Sequence, residues 1–346
     1  MPRFALRFPH MLLILTLLPI ALAFGQNSAV APQGTATRTP ASRFEGAVAG
    51  LKEAEQALYL FERVERIEYR KSASDAQPYE VKVSRVFPAG TGIAHIALGP
   101  DGNPANAAAY RAELEKLLSS LTWAAASGKP QREAYEKVAK RQKERFELID
   151  STRSAFVFTF LSQETRGERM LSKFKMEPNP KYKSITRATS IFARVKGFVW
   201  IDDASGQLAR VEGEVTDDIS FGLFVAKIYK GSHFMQERYE FAPGIWLPSF
   251  SQYDFDGRKF FSPISIHEKT FASKYRRVGP PVEAIPIIRE ELEKFGSSAK
   301  SQTPANYCAE RVVQGCAFMS RSSGFCQFNS GCAERCCAAR KSLPQA

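Results

Sequence analysis

The sequence predicts an α+β fold: one large curved antiparallel sheet with covering helices, followed by a small disulfide-rich C-terminal tail. Three observations carry this expectation. Runs of alternating apolar and polar residues, separated by turn residues, recur from Ser154 to about residue 275. Three other segments have helical spacing and lie before or between strands. All six cysteines fall in the last forty residues or so, at 308, 316, 326, 332, 336 and 337.

The N-terminus reads as a signal peptide over residues 1–25. Arg3 and Arg7 form a basic start, Met11 to Ala23 is an apolar core, and Ala21-Leu22-Ala23 fits a cleavage site. The core is thirteen residues long, too short for a comfortable bilayer span. Residues 26–42 are rich in Ala, Thr, Pro, Ser, Gln and Gly and read as a linker. The main domain is expected over 43–295, with a helical insertion at 105–149. A second linker, 296–304, leads to the cysteine tail, 305–346.

Within the main domain, Arg43 to Phe61 has helical spacing, with Phe44, Val48, Leu51, Ala54, Leu58 and Phe61 near one face. Val64 to Arg70, Tyr79 to Phe87 and Ile93 to Leu98 alternate as strands; a dense turn signal from Gly99 to Pro104 closes them. Ala105 to Trp123 carries the stripe Tyr110, Leu114, Leu117, Leu118 and Leu121, and Gln131 to Ile149 forms a second, charged helix. Ala155 to Ser162 and Arg169 to Met176 read as a hairpin joined through Gln163 to Glu168. Ile185 to Ala193 suits a short helix, and Phe221 to Lys230 is ambiguous between strand and helix. Ser232 to Phe241, Ile245 to Phe255 and Arg258 to Phe271 complete the sheet, the last two joined at Asp256-Gly257, a pair that tight hairpin turns favour. The total is about nine or ten strands.

The stretch from Val195 to Val215 shows which face is apolar. Asp202 to Gln207 is a cluster of turn residues between two strands. A four-residue loop, Asp203 to Gly206, sets Trp200 opposite Ala209 and Phe198 opposite Val211 on one face. Arg210 and Glu212 then point the other way. Across Asp256-Gly257, Tyr253 pairs with Phe260, Ser249 with Ile264 and Leu247 with Ile266. Phe198, Trp200, Val211 and Tyr253 are therefore the candidate ligand-binding residues. The segments Arg43–Phe61 and Ala105–Trp123 are the available covers for this face, and any part left bare favours a ligand or partner.

Catalytic and metal motifs are missing from the sequence. His95, His233 and His267 are far apart in the chain, and Asp202-Asp203 reads as a turn former rather than a ligand pair. Asp254-Phe255-Asp256-Gly257 lacks the remaining ligands of a calcium loop. There is no G-x-S-x-G, P-loop, H-E-x-x-H or dinucleotide fingerprint. No cofactor, no metal and no enzymatic step is expected. Cys308, Cys316, Cys326, Cys332, Cys336 and Cys337 lack the C-x₂-C spacing of thiolate zinc sites and read as three disulfides of undetermined pairing in an exported chain. None lies near the start of the mature chain, so lipidation there is excluded. Formal charge is +12 with a pI near 9.4, and loss of Arg3 and Arg7 lowers it by two to +10. Export argues against nucleic acid as the partner and for an anionic envelope surface, with a periplasmic or secreted location.

The segments Pro178-Asn179-Pro180-Lys181-Tyr182, Gly197-Phe198-Val199-Trp200-Ile201-Asp202, Ser220-Phe221-Gly222-Leu223, Lys230-Gly231-Ser232 and Pro243-Gly244-Ile245-Trp246-Leu247-Pro248 resemble exported bacterial outer-membrane lipoprotein-sorting proteins. With the strand–helix–strand order, they resemble the outer-membrane lipoprotein carrier (LolA/LolB-like) fold over about 60–278. The resemblance implies an unclosed β-barrel whose hollow binds a lipid or lipoprotein acyl chain without catalysis. The helical insertion and the cysteine tail depart from that pattern. An envelope-stress sensor or protein-interaction scaffold of the same fold is the alternative, and an enzyme of unknown type is the third.

Overall fold

The computed structural model describes residues 40–184, 186, 188–221 and 225–301. The expected signal peptide, most of the first linker and all six cysteines of the tail lie outside these residues. The chain divides after Leu292 into two units, and of the second only the end of one helix is described.

Helix α1 (Pro40–Ala57) is followed by β1 (Phe61–Arg70), β2 (Glu80–Pro88) and β3 (Ile93–Leu98). The helical pair α2 (Ala107–Ala125) and α3 (Lys129–Ala155) separates these from β4 (Phe156–Arg166) and β5 (Arg169–Pro178). A 3-10 helix (Thr189–Arg194) leads to β6 (Val195–Asp202), β7 (Leu208–Val215), β8 (Ile219–Phe221), β9 (Ala226–Ile228), β10 (His233–Ala242), β11 (Ile245–Lys259), β12 (Ser262–Arg277) and α4 (Pro281–Ser301). The twelve strands make one sheet in the order β3-β2-β1-β12-β11-β10-β7-β6-β5-β4, with β8 and β9 attached beside β11. Every pairing is antiparallel, and β3 and β4 are the two edges, so the sheet stays open. The fold is α+β, as the alternation predicts.

Several local expectations are corrected. Phe61 begins β1 rather than ending α1. The β4–β5 turn is Gly167-Glu168, with Gly167 at φ 59°, and the strands run through residues assigned to the loop. The ambiguous Phe221–Lys230 segment carries β9 and the last residue of β8. Helix α4 was not anticipated and continues to Ser301, through residues read as linker. Its start carries Pro280-Pro281, and Ala284 and Ile288, one helical turn apart, are both fully buried.

The pair Asp256-Gly257 is not a turn. It lies inside β11, which continues to Lys259, and the turn is Phe260-Phe261. Tyr253 therefore pairs with Glu268 and Gly257 with Ile264, not in the expected register. Gly257 is small for another reason: a Cβ there would sit 2.1 Å from the Lys227 carbonyl oxygen of β9. The glycine allows a third strand to approach β11 closely.

Residues directly opposite in an antiparallel pair share a face, so register propagates sidedness across the sheet. One face is defined by the chain of partners Phe174, Val199, Val211, Gln236, Ser251, Thr270 and Ile67. Helix α1 lies on it. The Phe44 ring packs 3.7 Å from the Phe158 centroid and 5.3 Å from that of Phe174. Around them Ala47, Phe156, Met176, Val195, Val199, Ile201, Val215 and Ile219 form a buried cluster. Among the described residues, helices cover the opposite face only toward β1–β3. There Arg85, on the same face as Val64 and Ile96, donates to the Tyr110 hydroxyl of α2 at 2.7 Å and to Glu291 of α4 at 2.8 Å. Burial opposes the charge of Arg85, but Glu62 and Glu291 outweigh it and hold the guanidinium above its ordinary pKa. The two expected covers thus lie on opposite faces.

Gly257→Ala is expected to push β9 from β11 and cost about 1–3 kcal/mol, read as a lower denaturant midpoint at unchanged slope. An unchanged midpoint would show that β9 does not pair there.

Candidate functional site

The β6–β7 hairpin forms where the turn residues placed it. Asp202 accepts from the backbone N–H of Ser205 at 2.8 Å and from its hydroxyl at 2.7 Å, and Gly206 takes φ 74°. Asp203 accepts from Ser172 Oγ at 2.6 Å. Asp202 thus closes the turn, while Asp203, which also accepts from Gln163 Nε2 at 2.6 Å, ties the turn to β5 and β4. The register next to the turn, Ile201 opposite Leu208, is also as expected. One residue further it fails. A β-bulge at Ala209 places Trp200 opposite Arg210, Val199 opposite Val211 and Phe198 opposite Glu212.

This bulge splits the four candidate residues. Val211 and Tyr253 lie on the α1 face; Phe198 and Trp200 lie on the other. Val211 packs against the cluster beneath α1. Tyr253 is 5% exposed, and burial pushes its phenol up to about 12. Trp200 is 6% exposed and sealed by Leu171, Ala209 and Trp246, with Lys173 and Arg210 against its ring. Its indole N–H donates to Glu164 at 2.9 Å; this bond and Lys173 hold the Glu164 carboxyl below its ordinary range. Of the four, Phe198 alone lines an open groove.

That groove, of about 510 Å³, crosses β5, β6, β7, β10 and β11 on the face away from α1. Two rows of side chains form it. The first runs Lys175, Phe198, Glu212, Met235 and Gln252; the second runs Lys196, Glu214, His233 and Asp254. The first row supplies apolar surface from Phe198 and Met235. The second carries Lys196, Glu214 and Asp254 with His233 between the two carboxylates: Lys196 pairs with Glu214 at 3.5 Å, and Asp254 accepts from Arg70 of β1 at 3.0 Å. His267 Nδ1 lies 3.2 Å from the same Asp254 oxygen. Asp254 is thus held by its neighbours. At the other end the side chains of Lys175, beside Glu177, and Lys196 are 45% and 52% exposed at the rim. Beneath the groove Gly197 opposes Gly213, and the Phe234 ring occupies the space of a Gly213 Cβ on the α1 face.

Sequence reasoning missed Lys175, Lys196, Glu212, Glu214, His233, Met235, Gln252 and Asp254. Alternation alone would place most of them beside Phe198, had the bulge been known. Among the described residues no group of three or more His, Cys, Asp or Glu side chains could hold a metal ion. The arrangement offers apolar contact flanked by fixed charge, which suits binding an amphiphile.

The α1 face changes character toward β10–β1. There Glu55 of α1, 2% exposed, meets Arg145 of α3 at 2.7 Å and Arg238 of β10 at 3.5 Å. Burial lowers the Arg238 pKa against the pull of Glu55. Nearby Glu268 is raised, first by burial and then by Glu65.

No protein-family model matches the chain, and no curated protein matches it. Among solved structures it is similar to a domain named for outer membrane lipoprotein sorting, from Vibrio parahaemolyticus. That match has 12% identity and covers 68% of this chain and 93% of the other, with a TM-score of 0.27, which does not establish a common fold.

The raised Glu268 carboxyl fixes a pH dependence. The folded state holds this proton more tightly than the unfolded chain, so stability falls as pH rises from the ordinary glutamate range through the raised value. Glu268→Gln is expected to stabilise the protein at pH 7 and to be neutral below the ordinary glutamate pKa. Chemical denaturation at both pH values checks this; a destabilised variant at pH 7 would contradict it.

Proposed function

We propose that the protein binds a lipid or lipoprotein acyl chain, without catalysis, in the groove on the face away from α1. The observation that carries this reading is the groove itself. Its volume of about 510 Å³ lies within the range of small-molecule sites, and Phe198 and Met235 give it apolar surface beside a charged row. Lys175 and Lys196 at the rim suit an anionic head group. The tail of the ligand gains by burial against Phe198 and Met235, which needs no activated group. The α1 face is a poorer host, because Phe44, Phe158 and Phe174 already fill its apolar half. Export through the N-terminal leader belongs to the same reading. Among the described residues no helix is long and apolar enough to cross a membrane.

A second reading, a protein-interaction scaffold, is favoured by β4. This eleven-residue edge strand exposes Val157, Phe160 and Leu161, and a partner strand could extend the sheet there.

Native mass spectrometry of the protein from a bacterial envelope, followed by titration with a fluorescent fatty acid, tests the first reading. A co-purified acyl lipid and saturable uptake are expected. Phe198→Asp should weaken uptake by about 10–100-fold, the equivalent of one buried aromatic side chain, while Val211→Ala should leave it unchanged. Clean apoprotein with no uptake would sink the reading.

The exported tail carries its own test. Three disulfides among its six cysteines require the untreated protein to weigh six hydrogens less than the reduced chain. A chelator-sensitive metal adduct in place of that loss would overturn the disulfide assignment.

A further inference from the structure

The turn between β11 and β12 is built from Phe260 and Phe261, 53% and 86% exposed. Turn positions with positive φ favour glycine, yet Phe260 stands at φ 51°. The local backbone therefore gives up stability to present a bulky apolar side chain. The neighbouring β8–β9 hairpin adds exposed apolar surface at Val225, 49%, and Tyr229, 38%. The two hairpins are tied together: the Phe260 N–H donates to the Val225 carbonyl at 2.9 Å, and β9 pairs with β11.

Charge surrounds this apolar tip, and cations outnumber carboxylates there. Arg258 lies directly opposite Lys227 across β11 and β9, a like-charge pair that disfavours itself in isolation. Lys230 and Lys259 add two more cations, and Lys259 Nζ stands 5.8 Å from the Phe260 ring centroid. Three carboxylates lie near them: Asp218, which pairs with Lys227 at 2.6 Å, Asp217 beside it, and Asp256 two residues before Arg258; Arg258 has no ion-pair partner among the described residues. Pairing with Lys227 and the Lys230 backbone N–H keeps the Asp218 carboxyl below its ordinary range.

We propose that the Phe260-Phe261 tip, with Arg258, Lys259, Lys227 and Lys230 around it, docks the protein on an anionic lipid surface. The aromatic rings enter the interface and the cations meet the head groups, the two contributions that hold a peripheral protein on a membrane. The geometry disfavours the other occupants. A second copy docking tip to tip would bring like charges together. A single-stranded nucleic acid asks for a groove that tracks its backbone and a platform for stacking, whereas this tip is a protrusion. The site is separate from the groove and does not depend on what the groove binds.

The test uses the full mature chain and vesicles of phosphatidylcholine, with or without an equimolar share of phosphatidylglycerol. Flotation should recover the protein with the anionic vesicles and not with the neutral ones, and high salt should release it. Phe260→Gly combined with Phe261→Ser should weaken binding by about tenfold or more, since it removes both rings. Glycine suits φ 51°, so this variant keeps its fold. Arg258→Gln with Lys259→Gln should weaken it roughly fivefold for each cation removed. In Phe261→Trp, the added indole should be quenched by brominated lipid in anionic vesicles. Failure of the wild-type chain to float overturns the proposal, as does full binding by the glycine–serine variant or an unquenched indole. Preferential binding of a single-stranded oligonucleotide through the same residues would assign the tip to nucleic acid instead.

Discussion

Ala209 is the extra residue that decides what each face of this sheet carries. Beyond it, β7 pairs with β6 one step out of the register that the Asp203–Gly206 loop alone would set. Because side chains alternate with a period of two, that single step puts Val199, Val211 and Val215 under α1 and turns Phe198, Trp200 and Glu212 outward. The same sidedness passes through β10 and β11 to β12 and β1, where it places Arg70 and His267 beside Asp254. Without the bulge, either the groove would lose Phe198 or the core would have to accept Glu212.

Helix α1 answers to this sidedness with two kinds of contact along its length. Its first half is held by burial: Phe44 between Phe158 and Phe174, and Ala47 in the same cluster. Burial is non-directional and tolerates small slides of the helix. The second half is held by Glu55, between Arg145 and Arg238. A buried charge pair gains little over apolar packing but becomes costly when one partner leaves, by about 3–5 kcal/mol. Glu55 therefore fixes the position of α1 along the sheet more than it adds to its affinity. A helix fixed in this way closes the α1 face, and the open surface of the sheet lies behind it.

The strands were legible because alternation is a direct imprint of a half-buried sheet. Ile93–Leu98 forms β3 over the very residues that alternate, and the Tyr110, Leu114, Leu117 and Leu121 stripe of α2 is buried. What escaped was set by contacts distant in sequence. Nothing in Gln207-Leu208-Ala209 marks a bulge, since neither glycine nor a turn residue sits at the extra position. Asp256-Gly257 carries the wording of a turn, but its glycine answers to the Lys227 carbonyl thirty residues upstream. Phe260 at the true turn violates turn chemistry outright. The four residues that alternation placed together on one face are therefore divided between the two: Val211 and Tyr253 lie on the α1 face, Phe198 and Trp200 on the other, where Phe198 lines the groove.

The groove and the aromatic tip share β11, and their separation along it limits how they can cooperate. From Asp254, in the groove, to Phe260, at the turn, is six residues, or about 20 Å of strand. Rings that reach the level of lipid head groups would leave the groove roughly one head-group layer or more outside the hydrocarbon. Membrane contact at the tip would then concentrate the protein near its ligand, and transfer into the groove would require the ligand to leave the bilayer. The charged row from Lys196 to Asp254 suits that position, because fixed charges keep their hydration outside the membrane and would be expensive within it.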